Sequence, residues 1–469
     1  RQTLFYGICV GALIFLNTWD APIYLSLLIG AEALRRILQN GRLKVGDWGE
    51  LTTFGISLLA IAILAYLPFI VGFRSQLQGI LPNVINPTQF LQLFLMFGPF
   101  FLILLTFLLV EAWRGKQAER MNWRFGLVAA GSILLMLVAG LLLLLIIGWN
   151  IGDTRHTALN YINAHGGWDE VLPTIFSRWV GGSLTSIVLL IMLVLVAARL
   201  FPRQQLSDFG QEKKGITYPP ATGFVLVLIG MGVMLILLPE FVYLRDNFST
   251  RMNTVFKFYY QAWAAFSIAG AYAVYTILAD VKLARPSFPV QAMFGVMLVA
   301  ILFVGLWYPG LGIYHRMFVE TGRNTGYNDA PLTLDGGPGL IDSDDYNVLI
   351  CLGDLVGQVD TVVAEANPQG DRVNYNPRHG RVGTLTGIPV LIGWPGHESQ
   401  WRGSGYSAAV GTRRTDLDIL YTDLRMDVVS RIIDQYDIDY ILYGTVEHSY
   451  YAGAGEEKFR ENFEVVCES

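Results

Sequence analysis

Long apolar segments recur along the first two thirds of the chain and are separated by short polar loops. A helix needs roughly 20 predominantly apolar residues to cross a bilayer, and somewhat fewer where flanking side chains reach the interface. The pattern predicts about nine transmembrane helices, over residues 4–17, 21–38, 50–71, 89–110, 125–148, 179–199, 221–243, 257–279 and 289–309. The expected fold class is therefore an α-helical polytopic membrane protein.

The loops between these segments alternate in their content of Lys and Arg. Basic residues concentrate at Arg35, Arg36, Arg42 and Lys44, at Arg114, Lys116, Arg120 and Arg124, at Arg199, Arg203, Lys213 and Lys214, and at Lys282 and Arg285. The positive-inside rule places such loops in the cytoplasm and the intervening loops on the outer face. An odd number of spans then predicts that this chain begins in the cytoplasm and ends outside it.

From about residue 312 onward, short apolar runs alternate with amphipathic ones. The stretches DSDDYNVLICLGDLV and DLRMDVVSRIIDQY have helical periodicity, whereas TVVAEA, IPVLIGW and DYILYG are typical of strands. This alternation favours a small α/β domain with a mostly parallel sheet. We therefore predict a multi-spanning domain over 1–311, as the C-terminal part of a larger bundle, and an extracytoplasmic soluble α/β domain over 312–469.

Composition agrees with a membrane protein and narrows the function classes. Of 469 residues, 53% are hydrophobic and 15% are charged, and the mean hydropathy of +0.44 exceeds that of ordinary soluble chains. The net charge of -5 comes with no long basic run, so nucleic acid is not an expected partner. The three cysteines, Cys9, Cys351 and Cys467, lack ligand spacing and establish no disulfide framework. A Cys351–Cys467 disulfide, the redox compartment and the oligomeric state stay open.

Charged residues crowd the stretch PEFVYLRDNFSTRMNTVFKFYYQAW, residues 239–263, where one predicted span ends and the next begins on the outer side. Charges at membrane depth are costly unless they pair or face water, so they mark candidate functional sites. The charged candidates are Glu240, Arg245, Asp246, Arg251 and Lys257.

Helical spacing adds uncharged polar candidates to this stretch. One helix face is predicted to carry Asn253, Lys257, Tyr260 and Gln261, with Arg251 at its start. A helix N-terminus with Arg and Lys favours an anion such as a phosphate or a pyrophosphate. The alternative is an interfacial belt, in which aromatic rings anchor at headgroup depth and the cations pair with Glu240 and Asp246.

The hexapeptide NTWDAP, residues 17–22, interrupts the first apolar stretch. The predicted topology makes it a tight outer turn, with Pro22 in the first turn of the second helix, where a missing N–H is tolerated. Asn17 or Asp20 as a helix cap would account for part of its polarity. The competing hypothesis is that Asp20 points into an outward cavity shared with Glu240, Arg251 and Lys257.

A third polar stretch, NPRHGRVGTLTGIPVLIGWPGHESQWRG, covers residues 376–403. Its loops are rich in Gly and Pro, and such loops often hold binding groups. The binding candidates are His397, Glu398, Trp401 and Arg402. The segment lacks the second His of a zinc helix and is not a nucleophile elbow. The alternative is that these polar groups satisfy one another within a compact loop.

The acidic residues Asp342, Asp344 and Asp345 superficially offer a metal-binding pattern. They precede a predicted helix, and acidic residues at a helix start are more simply explained as caps and dipole partners. We therefore predict no metal site from them.

Four stretches together resemble the YYY family of large multi-spanning prokaryotic membrane proteins of unknown function. They are FLNTWDAP, GILPNVINPTQFLQLFLMFG, YLRDNFSTRMNTVFKFYYQAW and GIPVLIGWPGHESQWRG. The Tyr-Tyr-Tyr string that names the family belongs to an N-terminal half that this chain lacks. The chain also opens at Arg1 and ends on ENFEVVCES, which is typical of a strand cut short, so we expect a fragment of a longer protein.

That family in turn resembles the GT-C class of glycosyltransferases, whose members use a polyprenyl-phosphate sugar donor. The resemblance implies glycosyl transfer at the outer face of a prokaryotic plasma membrane, with membrane lipids and a lipid-linked sugar as partners. Arg251 and Lys257 would then stabilise the departing phosphate, with Arg245 behind them. Asp20 and Glu240 are candidates for an acid/base, metal or structural role, although the family places its principal catalytic acid in the N-terminal half.

Two further expectations stay open at this point. A divalent cation could serve as a cofactor of such a transferase. The alternative function class is a non-catalytic one, either a membrane scaffold or a transporter of lipid or polysaccharide with an outward partner-binding domain. The charges cluster at the predicted outer interface rather than at mid-membrane, which favours an interfacial site over a conduction path.

Overall fold

The computed structural model describes residues 1–73, 77, 79–117, 121–202, 216–245, 250–320, 341–356, 360–368, 376, 378–453 and 455–469. The chain divides into two compact units, Arg1–Thr321 and Gly322–Ser469, and each is described by itself.

The described part of the first unit is almost entirely helical. Its helices are α1 (Gln2–Leu16), α2 (Asp20–Asn40), α3 (Val45–Ala65), α4 (Leu67–Gly72), α5 (Phe90–Gln117), α6 (Trp123–Asn150), α7 (Gly152–Ala164), α8 (Trp168–Leu200), α9 (Pro220–Phe241), α10 (Met252–Leu278) and α11 (Phe288–Tyr314), the last continuing as a π-helical turn (His315–Glu320). Two short strands, β1 (Ile80–Pro82) and β2 (Val242–Leu244), pair antiparallel. They bring the loop before α5 to the end of α9.

Among the described residues, seven helices are long and apolar enough to cross a membrane, where the sequence pattern predicted about nine. They are α3, α5, α6, α8, α9, α10 and α11 with its π-helical continuation. The predicted span 4–17 is the 15-residue helix α1, which is too short to count. The predicted span 21–38 belongs to α2, which is 21 residues long but carries Glu32, Arg35 and Arg36 in its second half. The chain is thus a multi-pass membrane protein, and its described part holds fewer full-length apolar helices than predicted.

The limits of α2 follow from its sequence. Asp20 is its first residue, and Pro22 stands in the first turn, where no intrahelical partner is needed for a backbone N–H. Gly41 ends the helix with a φ of 79°, a left-handed conformation that favours glycine. The NTWDAP turn therefore places Asp20 inside the helix start rather than before it.

The core of the first unit forms where α9 and α10 pack against α5 and α8. Gly232 of α9 allows a close approach, because a Cβ there would lie 2.4 Å from Cε1 of Phe266 on α10. Most of the apolar window of α9 is buried, whereas α6 and α11 expose most of theirs. Helices exposed in this way are compatible with a lipid surrounding.

Several of the basic residues that mark the predicted cytoplasmic loops are paired with acids. Nη1 of Arg36 lies 2.6 Å from Glu50, which connects α2 to α3. The carboxylate of Glu111, 1% exposed, contacts Arg114 at 2.7 Å and Arg199 at 3.0 Å. These pairs connect helix ends in addition to any role in topology.

The second unit contains short helices around a small parallel sheet. Its described elements are α12 (Ser343–Val356), β3 (Val362–Ala364), α13 (Arg381–Thr386), α14 (Pro395–Arg402), a 3₁₀ turn (Gly403–Gly405), α15 (Tyr406–Val410), α16 (Arg413–Thr422), α17 (Met426–Tyr436), β4 (Ile438–Ile441), α18 (Thr445–Tyr450) and α19 (Glu456–Asn462). Strand β3 pairs with β4 in parallel, and Val363 also forms a parallel bridge with Val390. The predicted strand at 388–394 is thus reduced to a single bridge among the described residues.

A disulfide joins Cys351 of α12 to Cys467 in the C-terminal segment, with 6.0 Å between the two Cα atoms. The sequence had left this pairing open. It closes a loop with a sequence separation of 116 residues. Cys9 in α1 is a free thiol.

Candidate functional site

The start of α2 and the start of α10 are joined by a chain of hydrogen bonds. Nε2 of Gln261 donates to Oδ1 of Asp20 over 3.0 Å, and the Tyr24 hydroxyl donates to Oε1 of Gln261 over 2.8 Å. All three side chains are half-buried. The start of α2 has no side-chain cap, so the Asp20 carboxylate is directed to α10 and does not cap its own helix.

A cation contacts the residue that precedes this carboxylate in the chain. Nζ of Lys257 is 4.4 Å from the ring centroid of Trp19, a cation–π contact. Trp19 directly precedes Asp20, and Lys257 lies one helical turn before Gln261 on the same face of α10. We call these five residues the α2–α10 junction: Trp19, Asp20, Tyr24, Lys257 and Gln261. It holds one carboxylate and one ammonium group at the same end of the helices.

Glu240, at the end of α9, forms a separate buried cluster with Thr88 and Arg251. Oε1 of Glu240 accepts hydrogen bonds from the Thr88 hydroxyl at 2.5 Å and from Nη1 of Arg251 at 3.0 Å. Its Oε2 accepts from the Thr88 backbone N–H at 2.6 Å. Nη2 of Arg251 also donates to the Thr88 hydroxyl oxygen at 2.9 Å. With Glu240 only 1% exposed, this Glu240 cluster is an internal connection between the loop before α5, α9 and α10.

The loop before α5 is fixed by further buried polar contacts. Nδ2 of Asn83 donates to the carbonyl oxygens of Pro239 and Glu240, each at 3.1 Å. The Thr185 hydroxyl of α8 donates to the Thr88 carbonyl over 2.8 Å. Carbonyl groups in the last turn of a helix lack intrahelical hydrogen-bond donors. At the end of α9 the Asn83 amide donates to two of them. Sequence reasoning did not single out Asn83 and Thr88 as site residues, although both lie in the stretch GILPNVINPTQFLQLFLMFG that carries the family resemblance.

The other predicted residues of this stretch lie outside both groups. Arg245 is exposed, and its backbone N–H donates to the Gly79 carbonyl over 2.9 Å. Asn253 is half-buried, whereas Tyr260 is 65% exposed and packs edge-on against Phe256. Asp246 lies outside the described residues. Among the residues predicted to share one face of α10, Lys257 contacts Trp19 and Gln261 contacts Asp20 at the start of α2.

The second unit holds the predicted loop candidates on α14. The His397 ring stacks on Trp394 with 5.4 Å between centroids. Oε1 of Glu398 accepts from the Gly393 backbone N–H at 2.9 Å, and its Oε2 lies 3.3 Å from Nε of Arg402. Trp401 is 75% exposed. These contacts agree with the alternative in which polar groups of the loop satisfy one another, and a binding role stays a prediction.

A buried group that the sequence did not predict surrounds Arg381 in the second unit. Its guanidinium lies 2.5 Å from Glu447, 3.2 Å from Asp345 and 3.4 Å from Glu365. All four residues are at most 4% exposed. Asp345 is therefore more than a dipole partner of α12, since its carboxylate pairs with Arg381. We call these four residues the Arg381 cluster.

One carboxyl of the Arg381 cluster has an altered proton affinity. Burial raises the pKa of Glu365 to about 7, an effect that Arg381 opposes and Glu447 reinforces. Its Oε1 has no hydrogen-bond partner among the described residues. Because one guanidinium cannot neutralise three carboxylates, retention of a proton on Glu365 lowers the buried charge.

The described part of the chain contains no cluster of side chains suited to bind a metal ion. No group of three or more His, Cys, Asp or Glu side chains there is arranged to hold an ion. The divalent cation stays an expectation.

Comparison with known proteins identifies the family of this chain. No curated protein matches the chain, and no solved structure does. Residues 1–266, more than half of the chain, match the family described as Uncharacterized membrane protein (DUF2298). The match includes the α2–α10 junction and the Glu240 cluster. The chain therefore belongs to the DUF2298 family of uncharacterized membrane proteins.

Proposed function

We propose that the protein is a glycosyltransferase that takes a sugar from a polyprenyl-phosphate donor at the outer face of a prokaryotic plasma membrane. The observation that supports it best is the α2–α10 junction, where Gln261 holds the half-buried Asp20 carboxylate and the Lys257 ammonium contacts the adjacent Trp19 ring. Transfer from a lipid phosphate needs both groups, one for the acceptor hydroxyl and one for the leaving phosphate. The resemblance to GT-C enzymes supplies the donor class.

In this proposal Asp20 is the general base. Its carboxylate takes the proton of the acceptor hydroxyl, whose oxygen forms a bond to the anomeric carbon of the sugar. The bond from that carbon to the phosphate oxygen breaks, and the lipid phosphate leaves with the electron pair. Lys257 stabilises the negative charge that grows on the leaving oxygen. Gln261 holds Asp20 in place through Oδ1.

The proposed roles of Glu240 and Arg251 change with the contacts they make. Glu240 is buried and accepts three hydrogen bonds, so we assign it a structural role rather than an acid/base role. The Arg251 guanidinium already binds Glu240 and Thr88. Arg251 therefore positions the start of α10, and we assign the phosphate contact to Lys257 because it lies at the α2–α10 junction, over the Trp19 ring.

The outward location of the second unit is part of the same proposal. Disulfides persist in oxidising compartments outside the cytoplasm, and the Cys351–Cys467 bond fits such a location. Seven candidate spans among the described residues, like the nine predicted, are odd in number, which agrees with ends of the spanning part on opposite sides. In the proposal, the loops rich in Lys and Arg lie in the cytoplasm, so the start of the chain is cytoplasmic.

The proposal is tested by sugar transfer with the full chain in lipid nanodiscs. Polyprenyl-phosphate donors with radiolabelled hexoses are offered together with extracted membrane glycans, and release of labelled product is measured. Asp20→Asn is expected to lower turnover about a hundredfold, in line with the loss of a general base. The matched control is Asp153→Asn, an exposed acid in the first turn of α7. Equal turnover in the parent and Asp20→Asn would contradict the proposal.

A protein that binds lipid phosphate but transfers no sugar from any donor would favour the alternative, a non-catalytic scaffold or transporter. Flux of labelled lipid across proteoliposomes then separates these two, because only a transporter moves it.

A further inference from the structure

A groove runs along α2 and α9 within the first unit. A cavity of about 560 Å³ is lined on α2 from Pro22 to Ile37, on α9 from Leu226 to Leu238, and at the end of α8 by Val196, Leu200 and Phe201. At the rise of an α-helix the α2 and α9 stretches are about 22 Å and about 18 Å long. A cavity of this volume spread over that length is a narrow groove rather than a wide chamber.

The walls of the groove are apolar, and small residues create its space. Gly30 and Ala33 of α2 and Gly230 of α9 all line it. A Cβ at Gly30 would lie 3.2 Å from Cγ1 of Val227, and one at Gly230 would lie 3.4 Å from Cγ1 of Val196 on α8. Ser26 also lines it, but its hydroxyl donates to the Pro22 carbonyl over 2.7 Å and is satisfied within α2. Nothing in this lining demands a polar ligand, whereas a hydrocarbon chain would match it.

One end of the groove reaches the α2–α10 junction. Phe258 lines the groove, directly follows Lys257, and packs edge-to-face against Trp19 with 6.5 Å between centroids. Pro22, at the same end, lies two residues after Asp20. The apolar groove is therefore continuous with the carboxylate and the cation of the junction.

We propose that this groove holds the single hydrocarbon chain of a lipid phosphate whose head group lies at the α2–α10 junction. The identity of the head group rests on the proposed function, while the chain site rests on the groove itself. A lipid chain in a bilayer is already out of water, so the hydrophobic effect does not favour its transfer into the groove. Close packing against the groove walls must therefore select the chain. A narrow groove between α2 and α9, bordered by the end of α8, suits one chain, and the Lys257 ammonium complements one phosphate.

The test uses photocrosslinking rather than sugar transfer. The probe is a polyprenyl monophosphate with a diazirine on its chain, added to the full protein in phosphatidylcholine nanodiscs. We expect crosslinks on peptides of α2 and α9. Ser26→Phe places a ring in the groove and is expected to lower the crosslink yield about tenfold.

A matched control is available on α6. Ser132 is, like Ser26, an exposed serine within a helix, but it does not line the groove. Ser132→Phe should retain the parent yield. Equal elution volume and thermal unfolding of both variants exclude a folding defect.

The possible outcomes distinguish failure of the groove inference from failure of the proposed glycosyltransferase function. If Lys257→Ala lowers the yield while Ser26→Phe leaves it at the parent level, the groove inference is overturned and the head-group site stands. Crosslinks on α6 or α11 instead of α2 and α9 overturn it as well, as does equal competition by two-chain phosphatidic acid. If groove crosslinks persist in a protein that transfers no sugar, the inference stands and the proposed function falls.

Discussion

Gln261 and Asp20 share a hydrogen bond of 3.0 Å although 241 positions separate them in the chain. The bond fixes a carboxylate of α2 from α10, the helix that also carries Lys257. The spacing between base and phosphate ligand therefore depends on how these two helix starts meet. Tyr24 adds a second contact to the same amide, which restricts the rotation of its side chain.

Loss of the Gln261 amide should loosen Asp20. We expect Gln261→Leu to lower the free energy of unfolding by about 1.5–3 kcal/mol, the range for hydrogen bonds to charged groups. Sugar transfer should fall through kcat, with KM for the donor near the parent value, because the base is displaced and the phosphate ligand is not. Thermal unfolding and steady-state kinetics in nanodiscs measure both effects. Tyr24→Phe is the milder control, since it removes only the outer bond of the chain.

The Glu240 cluster should behave as a buried ion pair. Glu240→Ala leaves the Arg251 guanidinium without its carboxylate, so we expect a loss of about 3–5 kcal/mol in unfolding free energy. Adding Arg251→Ala should restore about 1–3 kcal/mol relative to the sum of the single losses. A double-mutant cycle by chemical denaturation measures this. If Glu240→Gln instead kept full stability and abolished transfer, Glu240 would be a catalytic residue and our structural assignment would be wrong.

The disulfide predicts a simple labelling pattern. The denatured, unreduced protein should take up one maleimide, at Cys9, and the reduced protein should take up three. Mass spectrometry reads the difference directly. The Cys351→Ser variant should lower the stability of the second unit by about 2–5 kcal/mol. Three labels on the denatured, unreduced protein from native membranes would contradict both the disulfide and the outward location.

The Arg381 cluster predicts a pH dependence of the second unit. Folded Glu365 keeps its proton up to about pH 7 because burial raises its pKa, whereas the ordinary value is 4.5. The folded state therefore binds more protons between these values, and its stability falls as pH rises through that window. The loss from this group is at most about 3 kcal/mol.

Hydrogen exchange of β3 and α18 peptides in the full chain, from pH 5 to pH 8, measures this loss. Glu365→Gln carries no titratable proton and should flatten the dependence, with better protection than the parent at pH 8. An unchanged slope in Glu365→Gln would assign the dependence to another group.

Much of the helical architecture was predictable, because a run of apolar residues must satisfy its backbone polar groups internally. The miscounted spans show where this reasoning fails. Segment 21–38 was read as a span, yet Glu32, Arg35 and Arg36 lie in α2 and pair with one another and with residues of α3. Hydropathy sums do not show which charges will be paired.

The candidate site was predictable in its residue types but not in its pairings. Asp20, Glu240, Arg251 and Lys257 were singled out because charges near a membrane are costly. Their division into the α2–α10 junction and the Glu240 cluster depends on contacts between residues far apart in the chain. Examples are Asp20 with Gln261 and Thr88 with Arg251, and no local sequence pattern encodes such pairs. Thr88 and Asn83 were not singled out since uncharged loop residues give no such signal.

Binding of polyprenyl monophosphate to the parent, Lys257→Ala and Lys282→Ala proteins tests the central claim most directly. Lys282 is an exposed lysine beyond the opposite end of α10 and serves as the matched control. Affinity is measured in nanodiscs at two salt concentrations with a fluorescent single-chain probe. Our account predicts that Lys257→Ala weakens binding about tenfold, corresponding to about 1.4 kcal/mol, while Lys282→Ala binds like the parent. Equal affinities in all three proteins would contradict a phosphate site at the α2–α10 junction.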